Sequence, residues 1–309
     1  MKNILKILRK KLLSSLSTQF SNEINCLKKD IIEESKLQNG VRINTIAQKQ
    51  LFHFYKSVLE QGQKIDLSTT GFRNYSQFEE DGLLLFILAA IGIKSRSFVD
   101  IGSANGINSN SANLALNFGF HGLFIDGNEN LIKEGQLFYK AHADTWAYPP
   151  KFECAFIKKE NINEIIERNG FKGEIDFLSI DIDGNDYWVW DAISVISPRI
   201  VIIETHIEYG DLSVVAPYDA NYNYSESSDL PHGASLPAMV KLAKNKGYRL
   251  VGSNQLGFNP IFIKGIEGKD HLPEIHHTKI LKHPFYLDRV YDQKSVDEWV
   301  DSALLLSLN

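Results

Sequence analysis

The stretch SFVDIGSANG, residues 97–106, constrains the fold more than any other. Phe98 and Val99 form an apolar run too short to bury much area unless it is a central strand covered on both faces. The run ends in Asp100-Ile101-Gly102, and Gly106 follows before a polar entry to a helix. A strand that ends in such glycines lets a backbone turn approach a ligand closely, with a helix N-terminus behind it. The spacing is G-x-x-x-G with an acid two residues before the first glycine. It is not the G-x-G-x-x-G of dinucleotide-binding folds.

Helical and strand patterns alternate around this stretch. Residues 22–62 carry helical patterning, and 75–93 (YSQFEEDGLLLFILAAIGI) predict a helix with Ser76 as N-cap, Glu79 and Glu80 in the first turn and Gly92 at its end. A helix over 109–118 follows the glycine turn, and HGLFID (121–126) reads as a second strand ending in an acid. A helix over 129–142, a third strand over 152–157 and a short helix over 162–169 lead to a fourth strand, IDFLSIDI (175–182). Asp183-Gly184-Asn185-Asp186 opens a helix carrying Tyr187, Trp188 and Trp190. A fifth strand is predicted over 199–204, a helix over 235–245, and further strands over 248–251 and 259–264. This alternation implies an α/β fold, a largely parallel sheet with helices on both faces. The predicted layout is an N-terminal helical extension (1–70), a main domain (71–268) whose loop 207–233 forms a lid, and a C-terminal extension (269–309). The last holds His276, His277 and His283, read as surface residues, and a terminal helix near 296–306.

Composition narrows the function classes. Of 309 residues, 43% are apolar and 23% charged, as in ordinary globular proteins, and no apolar run is long enough to span a bilayer. The net charge of -5 argues against a nucleic-acid partner. Residues 1–20 run against that total, with Lys2, Lys6, Arg9, Lys10 and Lys11 among apolar residues at helical spacing. A basic amphipathic helix of this kind can lie on an anionic membrane surface, or pack on the domain or a second copy of the chain. The basic residues interrupt any secretory-signal core. Cys26 and Cys154 show no metal-type spacing and read as reduced thiols. The expectation is a cytoplasmic chain, with its N-terminal helix at the inner face of the membrane in the first of those cases.

In such a sheet, ligands sit beyond the carboxyl ends of the strands. Polar or acidic residues stand at four of those ends: Asp100 and Gly102, Asp126, Asp181 and Asp183, and Glu204 and His206. Asp126, 24 residues after Gly102, can accept hydrogen bonds from ribose hydroxyls, or can cap the helix that starts near Asn128. Asp181 and Asp183 flank one apolar residue, so on a strand they point the same way, and paired carboxylates raise one pKa or recruit a cation. A hard divalent cation takes oxygen ligands, and a free carboxylate or His206 can act as general base on a hydroxyl. The other reading of Asp183-Gly184-Asn185-Asp186 is a turn and N-cap. Tyr209, Tyr218, Tyr222 and Tyr224 of the lid can stack on a sugar or aromatic acceptor, or pack within the lid.

These residues resemble a known family. FVDIGSANG is similar to the glycine-rich first motif of class I S-adenosylmethionine-dependent methyltransferases, and FIDGN to their ribose-binding motif. IDFLSIDIDGNDYWVW followed by PRIVIIETH resembles the region that marks FkbM-type methyltransferases. GFRNYSQFEEDG and GASLPAMVKLAKNKGYRLVGSNQLGFN resemble a bacterial subgroup, so the likeness spans about residues 50–265. It implies a Rossmann-like, seven-stranded sheet of order 3-2-1-4-5-7-6 with the last strand antiparallel, and methyl transfer to oxygen. Gly102 and Gly106 would meet the methionine part of S-adenosylmethionine, Asp126 its ribose, and Ala155 and Phe156 its adenine. Gln77 and Glu80 would close over it, with Asp100, Asn128 and Asp181 in the same binding set. Members frequently serve polyketide or cell-surface glycan pathways, which makes a sugar hydroxyl in polysaccharide biosynthesis the expected acceptor. Asp183 is the expected base and His206 the next candidate. Some sugar O-methyltransferases of this fold hold Mg2+ through strand-four and strand-five carboxylates, here Asp181 and Glu204, although Glu204-Thr205 stands where those enzymes carry two adjacent acids. Two alternatives are a nicotinamide-dependent oxidoreductase, against which the glycine spacing argues, and a non-catalytic cofactor-binding or scaffold protein of a glycan assembly system.

Overall fold

A computed structural model describes residues 45–223, 232–284 and the backbone of 306–307. The predicted basic N-terminal helix, Cys26 and Tyr224 lie outside those residues. The chain divides into two compact units, Met1–Leu51 and Phe52–Asn309. Residues 45–60 are helical (α1), and the second unit holds the sheet. None of the described helices is long and apolar enough to cross a membrane.

Seven strands make one sheet: β1 (Ser97–Ile101), β2 (His121–Asp126), β3 (Lys151–Cys154), β4 (Gly173–Ile180), β5 (Ile196–Ile203), β7 (Tyr248–Ser253) and β8 (Pro260–Lys264). The two-residue β6 (Val214–Val215) pairs outside it with the backbone of β9 (Leu306–Ser307). Extended backbone at 306–307 therefore replaces the end of the predicted terminal helix. The sheet order is β3-β2-β1-β4-β5-β8-β7. Numbering the seven sheet strands alone, this is the expected 3-2-1-4-5-7-6. β1 to β5 pair in parallel, and β8 is antiparallel to both its neighbours. The helices are α2 (Glu80–Ile91), α3 (Ala112–Phe118), α4 (Glu129–Ala141), α5 (Ile162–Arg168), α6 (Asp186–Ala192) and α7 (Leu236–Asn245).

Burial follows the strand period. β4 and β5 are covered on both faces, which is why they read as nearly continuous apolar runs. Val99, Leu123, Leu178 and Val201 share a core with Ile165 of α5, Trp190 of α6 and Leu242 of α7. Phe98 and Phe124 alternate to the other face, where Phe124 meets Tyr139 of α4 at 5.4 Å between centroids. Gly135 lets α4 approach the glycine turn, since a Cβ there would strike the Asn105 carbonyl and the Phe152 ring.

Several element ends differ from the sequence reading, each for a local reason. β3 stops at Cys154, not 157, because its sole neighbour β2 ends at the paired Asp126. β4 stops at Ile180, because its partner β1 ends at Ile101, so Asp181 and Asp183 lie in a loop beyond the ladder. Ser76 does not cap α2. The cap position is Glu79 without a side-chain bond, and Ser76 Oγ instead accepts from Asp81 N at 3.2 Å. Asp81 in turn accepts from the backbone N–H groups of Asn74, Tyr75 and Ser76 at 2.7, 2.6 and 2.9 Å.

Midway along β4 and β5 lies a pair that the sequence reading did not single out. Arg199 and Asp176, both with fully buried side chains, bond at 2.6 Å. Arg199 also donates to Glu267, Ile91 O and Gly92 O, so its donors are nearly all satisfied.

Candidate functional site

The carboxyl ends of β1, β2, β4 and β5 open into one cleft of about 980 Å³. The glycine turn forms one wall. Gly102 has φ +80°, and a Cβ there would overlap the Asp181 carbonyl, so two demands converge on glycine. Gly102 N and Ser103 N both donate to Ile125 O, tying the turn to β2. Gly106 (φ +68°) lies behind this wall, its carbonyl accepting from Tyr139 Oη at 2.6 Å. Asp126 accepts from Ala104 N at 2.8 Å through Oδ2 and from Asn128 N at 2.7 Å through Oδ1. The helix cap is Asn128, whose Oδ1 accepts from Asn130 N and Leu131 N, so Asp126 is not the cap of α4. Asp126 holds the glycine turn and the start of α4 together at the cleft edge, where it retains lone pairs for a hydroxyl-bearing ligand.

The opposite wall is acidic. Asp181, Asp183 and Glu204 bring one carboxylate oxygen each within 4.8 Å of one another, although Asp181 and Asp183 are not on a strand. Asp183 is exposed and sits at φ +54°, a left-handed conformation that Asp tolerates and that is found disproportionately at functional sites. Asp186 shapes this loop from below, accepting from Ile182 N and Gly184 N at 2.9 Å each. Asp183-Gly184-Asn185-Asp186 is thus a turn tied by Asp186, while the cap residue Asn185 makes no capping bond and donates to Asp219 O at 2.8 Å. Burial, and then repulsion from Asp186 and Asp183, pushes the Asp181 carboxyl up to about 8. Burial and the same carboxylates raise Glu204 well above the usual range. Glu204 Oε2 is buried with no hydrogen-bond partner. A cluster of crowded carboxylates with an unpartnered oxygen suits a hard, oxygen-seeking cation or the proton of a hydroxyl.

Not every predicted residue reaches the cleft. Gln77, Gly102, Asp126, Asn128, Ala155, Phe156, Asp181, Asp183 and Glu204 line it. Glu80, Asp100, Gly106 and His206 do not. Glu80 is fully buried, accepting from Phe78 N at 3.0 Å, Asn254 Nδ2 at 3.1 Å and Asn259 Nδ2 at 2.9 Å. It braces the segment that carries Gln77 instead of touching a ligand. Asp100 is 3% exposed, and burial pushes its carboxyl up to about 6 against hydrogen bonds from Ser111 and Ser109. His206 turns its Nδ1 to Glu208 Oε1 at 3.4 Å, and its Nε2 is buried against Gly233. That orientation leaves Asp183 as the better-exposed base candidate.

The lid tyrosines divide in the same way. Tyr209 is buried and donates to His232 O, so it packs. Tyr218 bonds Glu160, with Lys159 Nζ 4.0 Å from its ring centroid. Tyr222 lines the cleft and lies on Gly184, where any Cβ would strike its ring. Phe258 also lines the cleft, and residue reading alone had not marked it. Its carbonyl accepts from Thr205 N at 2.7 Å, a contact between residues 53 apart that no local pattern encodes.

No protein-family model matches the sequence, and no curated protein matches it. Solved structures resemble the chain at low identity. The N-terminal domain of EvdMO1 with SAH bound is 12% identical, with a TM-score of 0.41 over 68% of this chain and 93% of that one. Magnesium protoporphyrin IX methyltransferase (ChlM) from Synechocystis PCC 6803 with bound SAM is 15% identical, with a TM-score of 0.36 over 60% and 78%. The bifunctional kinase-methyltransferase WbdD is 16% identical, with a TM-score of 0.34 over 55% of this chain, and the chain covers about a third (34%) of its length.

Proposed function

We propose that the chain is an S-adenosylmethionine-dependent O-methyltransferase of the FkbM type that methylates a sugar hydroxyl in glycan or polysaccharide assembly. The observation that carries this reading is the meeting, in one cleft, of a glycine turn with a strand-end Asp126 and an acidic wall headed by the exposed Asp183. The first half fits a nucleoside with a compact charged tail, and the second fits a hydroxyl that must lose a proton.

When bound, the cofactor supplies a methyl group made electrophilic by its sulfonium. Gly102 would admit the cofactor to the turn and Asp126 would take its ribose hydroxyls. Ala155 and Phe156 would border the base, and Gln77 would cover it from the segment braced by Glu80. Asp183 would take the proton of the acceptor hydroxyl, leaving that oxygen nucleophilic toward the methyl group the cofactor would supply. Much of the catalysis would be the positioning of the acceptor hydroxyl by the cleft walls. Asp181 and Glu204 position the acceptor.

A second reading adds Mg2+. Asp181, Asp183 and Glu204 would hold it, favoured by the crowded oxygens and the unpartnered Glu204 Oε2, and it would lower the pKa of a bound hydroxyl. The chain would work in the cytoplasm, its basic N-terminal segment meeting the inner face of the membrane or a second copy, with no nucleic-acid partner.

Calorimetry tests the reading against its competitors. It predicts binding of S-adenosylmethionine and none of NAD. Preferential NAD binding would instead support an oxidoreductase. Tight cofactor binding with no methyl loss across a broad acceptor panel would support a non-catalytic binding protein.

A further inference from the structure

Among its described residues, the cleft is lined by five carboxylates (Asp126, Glu129, Asp181, Asp183 and Glu204) and by no Lys, Arg or His. Proteins hold anionic ligands with Arg or Lys, or with unsatisfied backbone N–H groups at helix N-termini and turns. Six N–H groups at this cleft are already taken by the chain's own acceptors. Asn130 N and Leu131 N of α4 donate to Asn128 Oδ1, and Asn128 N and Ala104 N donate to Asp126. Ile182 N and Gly184 N at the acidic wall donate to Asp186. Burial and crowding favour protonated Asp181 and Glu204, and Glu129 pairs with Lys133 at 2.6 Å, so the unpaired negative charge rests on Asp126 and Asp183. It exceeds the cofactor's net single positive charge, and a divalent cation that ionised Asp181 and Glu204 would leave the same surplus.

From these two observations we infer the charge class of the acceptor: it enters the cleft as a neutral or amine-bearing polyol and not as a carboxylated or phosphorylated one. The inference rests on the methyl-transfer reading, since it takes the acceptor to share the cleft with the cofactor. Like charges placed together in a low-dielectric cleft repel strongly, and no described lining residue offers an entering anion a basic side chain. A polyol meets the opposite situation. Its hydroxyls can donate to carboxylates and to the side-chain oxygens of Asn185 and Asn223, while its apolar face lies on Tyr222.

The test uses the full chain saturated with S-adenosylhomocysteine, with loading verified by calorimetry. Saturation-transfer NMR then compares methyl glucoside, glucosamine, glucuronate and glucose 6-phosphate, each with EDTA and again with Mg2+. The expected result is signal from the glucoside and glucosamine, and affinity at least tenfold weaker for the two anions in both conditions. An anion binding within threefold of the glucoside, or no signal from glucosamine and the glucoside, overturns the inference. Absence of S-adenosylhomocysteine binding would instead reject the methyl-transfer reading, so the two failures separate. Asp183→Asn and Glu129→Gln, made singly to guard against misfolding, should each narrow the gap between glucuronate and the glucoside. A gap unchanged in both variants would also count against the inference.

Discussion

β4 and β5 carry buried charge toward their amino ends and just past their carboxyl ends, and the two sites are built on opposite principles. In the amino-terminal halves, Asp176 meets Arg199 at 2.6 Å, and Glu267 and two backbone carbonyls take the remaining donors. At their carboxyl ends, Asp181 and Glu204 meet with Asp183 and no cation, leaving one oxygen without a partner. Both sites belong to the same pair of strands, so the strand pairing alone does not decide between them. A closed, compensated network serves stability, whereas uncompensated like charge costs stability and persists where it serves chemistry.

The largest contrast is expected from one substitution at each site. Asp183→Asn should reduce turnover by about 10²- to 10⁴-fold, the usual contribution of a general base, while chemical denaturation changes little. Arg199→Met should do the reverse, costing roughly 3–5 kcal/mol of unfolding free energy because it strands the Asp176 charge in the core. Cofactor affinity of whatever protein stays folded should be kept. If Arg199→Met altered affinity without altering stability, the division between the sites would fail.

A smaller effect concerns the turn that joins the halves. Gly102→Ala adds a Cβ into the Asp181 carbonyl at positive φ, and should cost about 1–3 kcal/mol of stability and weaken cofactor binding. Calorimetry on the variant would check it, and unchanged affinity would show that the turn need not approach the ligand.

The sites should also differ in the sign of their pH dependence. Glu267 would be raised by burial, but hydrogen bonds from Arg199 and Lys94 outweigh this and lower it. Its contribution is therefore present above the unfolded carboxylate pKa and lost as pH falls through the lowered value. Asp100, up at about 6, and Asp181, up at about 8, keep protons in the folded state that the unfolded chain has released. They contribute stability below about pH 4, lost as pH rises toward about 8. Urea titrations in EDTA should show that decline flattened over pH 4–6 by Asp100→Asn. An undiminished decline would remove Asp100 as its source.

Legibility followed the range of the interactions. The strands and their acidic ends were readable because buried parallel strands leave local apolar runs, whereas the strand order followed only from the family resemblance. Asp181 and Asp183 were marked for a strand-face reason that does not hold, since both lie past the ladder, yet the loop tied by Asp186 brings them together. Glu80 was misread as a ligand contact because its partners, Asn254 and Asn259, lie more than 170 residues away. Asp81 displaced Ser76 as the organiser of the turn before α2 for a similar reason: three N–H groups converge on it only once that turn is folded. Arg199 stood in the sequence as one cation in an apolar strand, and only its partner across β4 gives it meaning.

The account divides the cleft into a half that binds the cofactor and a half that acts on the acceptor. The most direct measurement is the affinity for S-adenosylhomocysteine of Asp126→Asn beside that of Asp183→Asn. The account predicts a loss of about 10- to 100-fold for Asp126→Asn, the effect of weakening a charged hydrogen-bond acceptor, and near-parental affinity for Asp183→Asn. Equal losses in both, or a loss in Asp183→Asn alone, would contradict it.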